Sequence, residues 1–253
     1  MTCSIPVCCP NCASDHVTRA GKSACAEQRY RCRATDCATG TFMLQYRYKA
    51  YEPGVKEQVV DMALNGSGVR DTVRVLKISK GTVISTLKKA DAPVRVHPNF
   101  PPEWAQKPGL EVSLGRVERE AQRDEPWSYV GKKSNPRWLW YAVDHAGNPV
   151  LAYTFGRRQD DVFKELKDLL APLSIGRYYT DDWGAYQRHL KTEEHRMGKQ
   201  HTQKIERKNL NGRTWIKRLA RKTLCFSKLE TLHDTVIGLI MNRVEFGLDI
   251  YAM

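Results

Sequence analysis

The sequence has no long apolar run and comparatively few acidic residues. Its 253 residues have a mean hydropathy of −0.55 and a formal net charge of +13. Because a membrane-spanning helix needs about 20 consecutive apolar residues, such a helix is excluded. The N-terminus also lacks the cationic and apolar regions of a secretory signal. We therefore expect a cytoplasmic protein whose thiols stay reduced.

Cysteine is almost absent after residue 37, since seven of the eight cysteines lie within the first 37 residues. Such clustering favours a metal site over a disulfide scaffold spread through the fold. Cys9 and Cys12 form a C-x2-C pair, and Cys32 and Cys37 form a C-x4-C pair. Two such pairs can place four thiolates tetrahedrally around one Zn²⁺. Cys8 is an alternative to Cys9, and a disulfide-stapled module is the alternative to zinc.

The residues around these pairs predict a zinc ribbon. Residues 28–33 and 40–48 are rich in Tyr, Phe and Thr, which favours two short strands. A module of this size has little core of its own, so a structural zinc ion would supply its stability.

The basic excess is concentrated between residues 188 and 228. This stretch has 13 Lys and Arg residues but three acidic residues, Glu193, Glu194 and Glu206. A basic surface of this kind favours a polyanionic partner such as DNA, because binding releases the counterions of the phosphates. A solvated basic face or a membrane-surface patch is the alternative.

Residues 56–89 predict a helix-turn-helix. Apolar spacing indicates helices over residues 56–64, 68–76 and 80–89, with Ser79 as the N-cap of the third. Val83, Ile84 and Leu87 would then face inward. The outward side chains that we expect to contact DNA are Thr82, Ser85, Thr86, Lys88 and Lys89. Three short helices with tight turns could equally form a purely structural bundle.

The C-terminal half predicts a ribonuclease-H-like α/β core. Residues 138–144 and 150–155 indicate a β-hairpin, residues 159–170 an amphipathic helix, and residues 175–180 a strand that ends before Asp181. Further helices are expected over residues 206–222 and 227–246. On the first of these, Leu210, Arg213 and Lys217 would share a face with Glu206.

These patterns divide the chain into four parts. We expect a zinc ribbon over residues 1–50 and a helix-turn-helix domain over residues 51–92. A proline-rich linker would follow over residues 93–110. The α/β catalytic domain would occupy residues 111–253.

Sequence blocks along nearly the whole chain resemble transposases of the insertion sequence 1 family. The matching blocks are residues 9–12, 28–32, 61–66, 124–131, 180–183, 202–211, 226–228 and 232–238. The resemblance implies a zinc finger and helix-turn-helix that bind the terminal inverted repeats of a mobile element. It also implies a ribonuclease-H-like acidic triad of the DDE type that cuts and joins DNA strands.

Carried over by position, the triad consists of Asp124, Asp181 and Glu206, which would hold two Mg²⁺ or Mn²⁺ ions. Arg213 takes the cationic position after the glutamate, and Asp234 matches a possible supporting acid. The cations expected to hold the DNA backbone are Arg207, Lys208, Lys217, Arg218, Arg221 and Lys222. The resemblance further implies a bacterial, nucleoid-associated protein that acts on double-stranded DNA as a dimer or larger homo-oligomer.

The sequence departs from the family pattern just before Asp124. Residues 117–123 are highly charged where an apolar strand is expected, and Gln122 replaces an expected acid. If the alignment has slipped, Glu120, Glu125 or Asp144 is the first metal ligand. Two other functions stay open: a nuclease that cleaves without joining, and a non-catalytic DNA-binding regulator.

Overall fold

A computed structural model describes most of the chain. The described residues are 6–90, 93–98, 109–116, 129–132, 134–146, 149–181, 183–198, 203–220, 225 and 227–251. In this part of the chain, no helix combines the length and the apolar character that a membrane crossing requires.

A small three-stranded antiparallel sheet lies at the N-terminus. Its strands are β1 (Val17–Lys22), β2 (Gln28–Cys32) and β3 (Phe42–Met43), in that order. The prediction for residues 28–33 is confirmed, whereas the strand expected over residues 40–48 is only two residues long. β1 was not predicted, because most of its side chains are exposed and its sequence has no apolar alternation. The buried core here is limited to Cys9, Cys32 and Phe42.

The three helices predicted after this sheet are confirmed. They are α1 (Val55–Leu64), α2 (Val69–Leu76) and α3 (Lys80–Lys89). The Ser79 hydroxyl caps α3 by accepting the Thr82 backbone N–H at 3.0 Å. Val83 and Leu87 are buried as expected, and Ile84 is half-buried.

A five-stranded mixed sheet forms the centre of the C-terminal half. Its strands are β4 (Leu110–Arg116), β5 (Trp138–Asp144), β6 (Val150–Gly156), β7 (Ile175–Thr180) and β8 (His195–Met197). The spatial order is β6-β5-β4-β7-β8, antiparallel from β6 to β4 and parallel from β4 to β8. The α/β prediction is therefore confirmed, together with the hairpin and β7.

Helices cover both faces of this sheet. One face packs against α4 (Asp160–Leu170) and α5 (Gly184–His189), through a cluster that includes Trp140, Phe163 and Tyr186. The other face packs against α6 (Gln203–Trp215) and α7 (Glu230–Val244). The two faces therefore carry separate hydrophobic cores, since β5 sends alternate side chains into each.

The helix-turn-helix shares the second of these cores. One buried cluster joins Val59 of α1 and Leu87 of α3 to Leu139 of the sheet and Ile237 of α7. Arg218 reinforces the contact by donating to the Ala63 carbonyl at 2.6 Å. The helix-turn-helix and the α/β part are therefore packed together rather than tethered.

The helix predicted over residues 206–222 is shorter than expected. α6 ends at Trp215, Ile216 has an extended backbone, and a 3₁₀ turn follows at Lys217–Leu219. The buried side chains of Ile216 and Leu219 both join the shared core. The expectation that Lys217 shares a helix face with Glu206 is consequently wrong.

Two helical glycines provide a matched test of packing. A Cβ on Gly238 of α7 would lie 2.5 Å from Pro93 and 3.0 Å from the Tyr153 hydroxyl oxygen, whereas one on Gly81 of α3 would meet nothing nearer than 3.7 Å. We expect Gly238→Ala to lower the free energy of unfolding by about 1–3 kcal/mol through overpacking. Gly81→Ala should raise it by up to about 1 kcal/mol through helix propensity. Urea unfolding measures both changes in the free energy of unfolding. Equal changes for the two substitutions would contradict the close packing around Gly238.

His233 of α7 predicts a loss of stability in acid. Burial, and next the positive charges of Arg218 and Arg137, lower the pKa of His233 to about 3. Between that value and its ordinary pKa of about 6.5, the unfolded chain binds a proton that the folded chain does not. The free energy of unfolding should therefore fall by about 2 kcal/mol from pH 7 to pH 5. Chemical denaturation over this range should show a shallower pH dependence for His233→Gln, and an equal slope would contradict the assignment.

Candidate functional site

Four thiols converge beside the N-terminal sheet. The Sγ atoms of Cys9, Cys12, Cys32 and Cys37 all lie within 4.8 Å of one another. The Cys9–Cys37 and Cys12–Cys32 sulfur distances are 3.7 and 3.6 Å. A disulfide requires about 2.05 Å, whereas Zn–S bonds of about 2.3 Å in a tetrahedron separate the sulfurs by about 3.8 Å. The predicted four-cysteine cluster is confirmed, and its geometry fits zinc.

The surroundings of the cluster agree with this chemistry. Cys8 is exposed and lies outside the cluster, which decides between the two candidates in favour of Cys9. Hydrogen bonds from the side chain and backbone of Thr39 lower the pKa of Cys37 to about 6, which favours the thiolate form that binds metal. The role of Thr39 was not predicted, although its position two residues after a candidate ligand was a signal.

Asp181 follows β7 at the carboxyl end of the parallel strands. β4 and β7 pair Ser113 with Tyr179, and continuing that register places Asp181 level with Gly115. Tyr179 and Ser113 belong to the sheet face that α6 covers, since Gly115 on the same face meets Ile205 of α6. Strand alternation directs residue 181 to that face as well. The Asp181 carboxylate accepts the Trp183 backbone N–H at 3.2 Å, which fixes the turn.

The start of α6 is held close against this part of the sheet. A Cβ on Gly115 would come within 2.6 Å of the Ile205 side chain, so the close approach requires glycine there. The Tyr141 hydroxyl lies 2.5 Å from Asn209 Oδ1 and 3.3 Å from the Ile205 carbonyl oxygen. Burial raises the pKa of Tyr141, which keeps the phenol protonated as a donor. Neither Gly115 nor Tyr141 was predicted, but Asn209 stands three residues after Glu206 on the expected helix.

Glu206 is therefore carried to the same end of the sheet as Asp181. It follows the anchored Ile205 and is exposed, and Arg213 lies two turns further along α6. The register of β4 and β7 and the packing of Ile205 against Gly115 thus assign Asp181 and Glu206 to the part of the sheet that α6 covers. Carboxylate oxygens are the ligands that a hard divalent cation prefers.

The first acid of the predicted triad lies outside the described residues. This applies to Asp124 and to its alternatives Glu120 and Glu125. Asp144 is described, and it pairs with Val112 near the opposite end of β4. It also belongs to the alternate set of β5 side chains, with Trp140 and Ala142, which faces α4. The sheet register therefore argues against Asp144 as a partner of Asp181.

Asp234 makes an internal ion pair. Its carboxylate binds Arg137 through both oxygens, and Glu230 lies 3.2 Å from the same guanidinium. Burial raises the pKa of Asp234, while Arg137 opposes that shift. The pair ties the start of β5 to α7. The contribution of Arg137 was not predicted, because its partner is 97 positions away in sequence.

The predicted DNA-binding cations divide into two groups. Lys208 lies 2.8 Å from Glu245, and Arg218 donates to Ala63 and to the Ser227 hydroxyl, so both hold the chain together. The charged groups of these two residues are therefore engaged within the protein. Arg207 and Lys217 are exposed, and Arg221 and Lys222 lie outside the described residues. On α3, Ser85, Lys88 and Lys89 are exposed, and Thr82 and Thr86 are partly exposed.

Comparisons with known proteins connect these features. The profile described as IS1 transposase matches residues 120–247, which include Asp124, Asp181, Glu206 and Asp234. The chain belongs to the IS1 transposase family. A second profile, the InsA C-terminal domain, matches residues 46–91 and so covers the three helices of the helix-turn-helix.

Individual relatives are similar to this IS1-family chain over about half of its length. The insertion element iso-IS1n protein InsB of Shigella dysenteriae is 50% identical over 123 residues, which is 49% of this chain and 94% of the relative. The insertion element IS1 protein InsB of Shigella sonnei is 46% identical over 122 residues, 48% of this chain and 93% of the relative. The IS1 9 protein InsB of Escherichia coli K12 is also 46% identical over 122 residues, 73% of its length.

The cysteine cluster predicts zinc binding at one ion per chain. We expect mass spectrometry under native conditions to detect one bound zinc, lost in Cys12→Ser and retained in Cys25→Ser. Chelation should unfold the N-terminal sheet, because the metal replaces a core that this module lacks. Equal zinc content in the two variants would exclude the four-cysteine site.

Proposed function

We propose that this IS1-family transposase binds the ends of an insertion element, cleaves them and joins them to target DNA. The observation that carries the proposal is the shared location of Asp181 and Glu206 on one face of the mixed sheet, in a chain of this family. The strand order, three antiparallel strands followed by two parallel ones, supports a ribonuclease-H-like fold for residues 111–253.

The acids would act as ligands of divalent metal. Asp181 and Glu206, with Asp124 as the proposed third ligand, would hold two Mg²⁺ or Mn²⁺ ions through carboxylate oxygens. Bound metal of this kind supplies an activated water or 3′-hydroxyl and stabilises the leaving oxygen in phosphoryl transfer. The contact between Tyr141 and Asn209 holds the start of α6, which carries Glu206, against the sheet and supports this proposal.

Cations and the N-terminal modules would position the DNA. Arg213, on the same helix as Glu206, would bind the phosphate next to the one that reacts. The exposed Arg207 and Lys217, with Arg221 and Lys222, would extend that contact along the backbone. Asp234 would support the site indirectly, by fixing Arg137 and so the start of β5. Sequence preference would come from α3 in the major groove and from a zinc-bound ribbon.

Joining two element ends requires two active sites close together. We infer that the protein works on DNA as a dimer or larger homo-oligomer, with both element ends held in one complex. Bacterial cytoplasm with nucleoid DNA is the compartment where such a reaction takes place.

The catalytic assignment is tested with a labelled element-end duplex and Mg²⁺. We expect Asp181→Asn and Glu206→Gln to lower cleavage by about 100-fold or more, as for loss of a group that stabilises transition-state charge, while duplex binding is retained. Asp168→Asn, at an exposed carboxylate of α4, is the matched control and should cleave normally. Comparing Asp124→Asn with Glu120→Gln identifies the first acid.

A pre-cut end with a free 3′-hydroxyl separates transposase from nuclease. Strand transfer that depends on Asp181 and Glu206 supports a transposase, whereas cleavage without transfer would indicate a nuclease. Wild-type-like cleavage and transfer in the Glu206→Gln variant would reject the site assignment.

A further inference from the structure

A groove of about 840 Å³ runs beside the outward face of α3. One side is formed by the α3 residues that we expect to contact DNA, including Thr82, Ser85 and Thr86. The same groove is also lined by residues 47–51, which precede α1, and by Ile250 and Tyr251. The proposed reading helix therefore shares this groove with a second, separate segment of the chain.

The groove is strongly cationic. Its charged lining consists of one acidic residue, Glu57, and five basic residues, which are Arg47, Lys49, Lys56, Lys77 and Lys89. Cations that line a concave surface concentrate their field there and attract polyanions. None of Arg47, Lys49, Lys56 or Lys77 belongs to the outward face of α3, so the charge extends well beyond the reading helix.

Exposed aromatic side chains are also concentrated in this groove. The exposed fractions of Tyr48, Tyr51 and Tyr251 are 63%, 67% and 42%. Among the described residues, four large aromatics are exposed, and these three line the groove while Trp215 does not. Exposed aromatic clusters mark interaction surfaces, and a tyrosine offers both an apolar ring and a hydroxyl donor.

The tyrosines are already arranged in the free protein. Tyr48 and Tyr51 pack edge to face with ring centroids 6.2 Å apart, and the Arg47 guanidinium lies 5.9 Å from the Tyr48 ring centre. The Tyr251 hydroxyl lies 2.5 Å from the Asp61 carboxylate, to which Arg243 also binds at 3.3 Å. Asp61 thus fixes the C-terminal wall of the groove onto α1.

We propose that residues 47–51, together with Tyr251, form a second DNA contact that holds the sugar-phosphate backbone beside the major groove entered by α3. The inference rests on the proposed function, because it takes α3 as the reading helix. A helix in the major groove, about 12 Å wide, has a phosphate strand on each flank. A basic and aromatic wall beside that helix lies where one of these strands passes.

We expect this wall to bind the sugar-phosphate backbone of DNA rather than the bases. Arg47 and Lys49 are cations with exposed side chains, which suit phosphate oxygens. The hydroxyls of Tyr48 and Tyr51 can donate to the same oxygens, whereas Tyr251 offers its ring because its hydroxyl donates to Asp61. The contact would therefore raise affinity for every duplex and set the position of the helix-turn-helix along it. Sequence preference would remain with α3.

The test is the salt dependence of duplex binding by the full chain. We expect Arg47→Ala and Lys49→Ala each to reduce the slope of log K against log salt by about 0.9, the value for one lost phosphate contact. Lys164→Ala, an exposed lysine of α4 on the far side of the sheet, is the matched control and should leave the slope unchanged. Arg47→Lys keeps the charge and should restore the wild-type slope.

The tyrosines and α3 require separate variants. Tyr48→Ala should weaken binding with an unchanged salt slope, because it removes an uncharged contact. One outcome rejects the second contact: the double variant Ser85→Ala/Thr86→Ala weakens binding to element ends, while Arg47→Ala and Lys49→Ala behave like the Lys164→Ala control. The proposed function would stand in that case. If the wild-type chain does not bind element-end duplex, the proposed function fails, and this inference fails with it.

Discussion

The burial of α7 between the sheet and the helix-turn-helix is the constraint on which the other arrangements depend. The residues from Val236 to Asn242 are all buried, so this helix has protein on both sides. The Tyr153 hydroxyl donates to the Gly238 carbonyl at 3.2 Å. With its amide oriented to satisfy both groups, Asn242 donates to Tyr153 and to the Val94 carbonyl, and accepts from Val94 N–H. In these hydrogen bonds each buried donor has an acceptor. The bonds therefore fix an otherwise apolar helix in one orientation.

The positions of Asp181 and Glu206 depend on this packing. Ile216 and Leu219, which follow α6, join the shared core, and the first turn of α6 is held to the sheet by Tyr141. The helix that carries Glu206 is therefore fixed at both ends, while Asp181 is fixed by a backbone turn. Positions set by rigid elements suit the proposed reaction, which would require two metal ions and two oxygens to align.

Local patterns predicted much of the fold. The helices α1 to α4, the hairpin and β7 have clear apolar periodicity or alternation, and the cysteine spacing predicted the thiol cluster. β4 was missed because its seven residues include Glu111, Ser113, Gly115 and Arg116 and directly follow a proline-rich stretch. Long-range partners were missed for a different reason: the Ala63 carbonyl that Arg218 binds is 155 positions away, and no local pattern encodes such a contact. Asp124 and its neighbours stay a prediction.

The core shared by the helix-turn-helix and the α/β domain has a consequence for how such proteins diversify. Side chains such as Val59 and Leu87 pack against the same cluster as Ile237 and Leu139. A helix-turn-helix from another element, joined at the proline-rich linker, would meet a surface shaped for different partners. With α3 as the proposed reading helix, new terminal-repeat specificities should therefore be acquired through changes on its outward face, while the inward residues change together with α7. We therefore expect DNA recognition in this architecture to change through point substitutions and not through exchange of the whole helix-turn-helix.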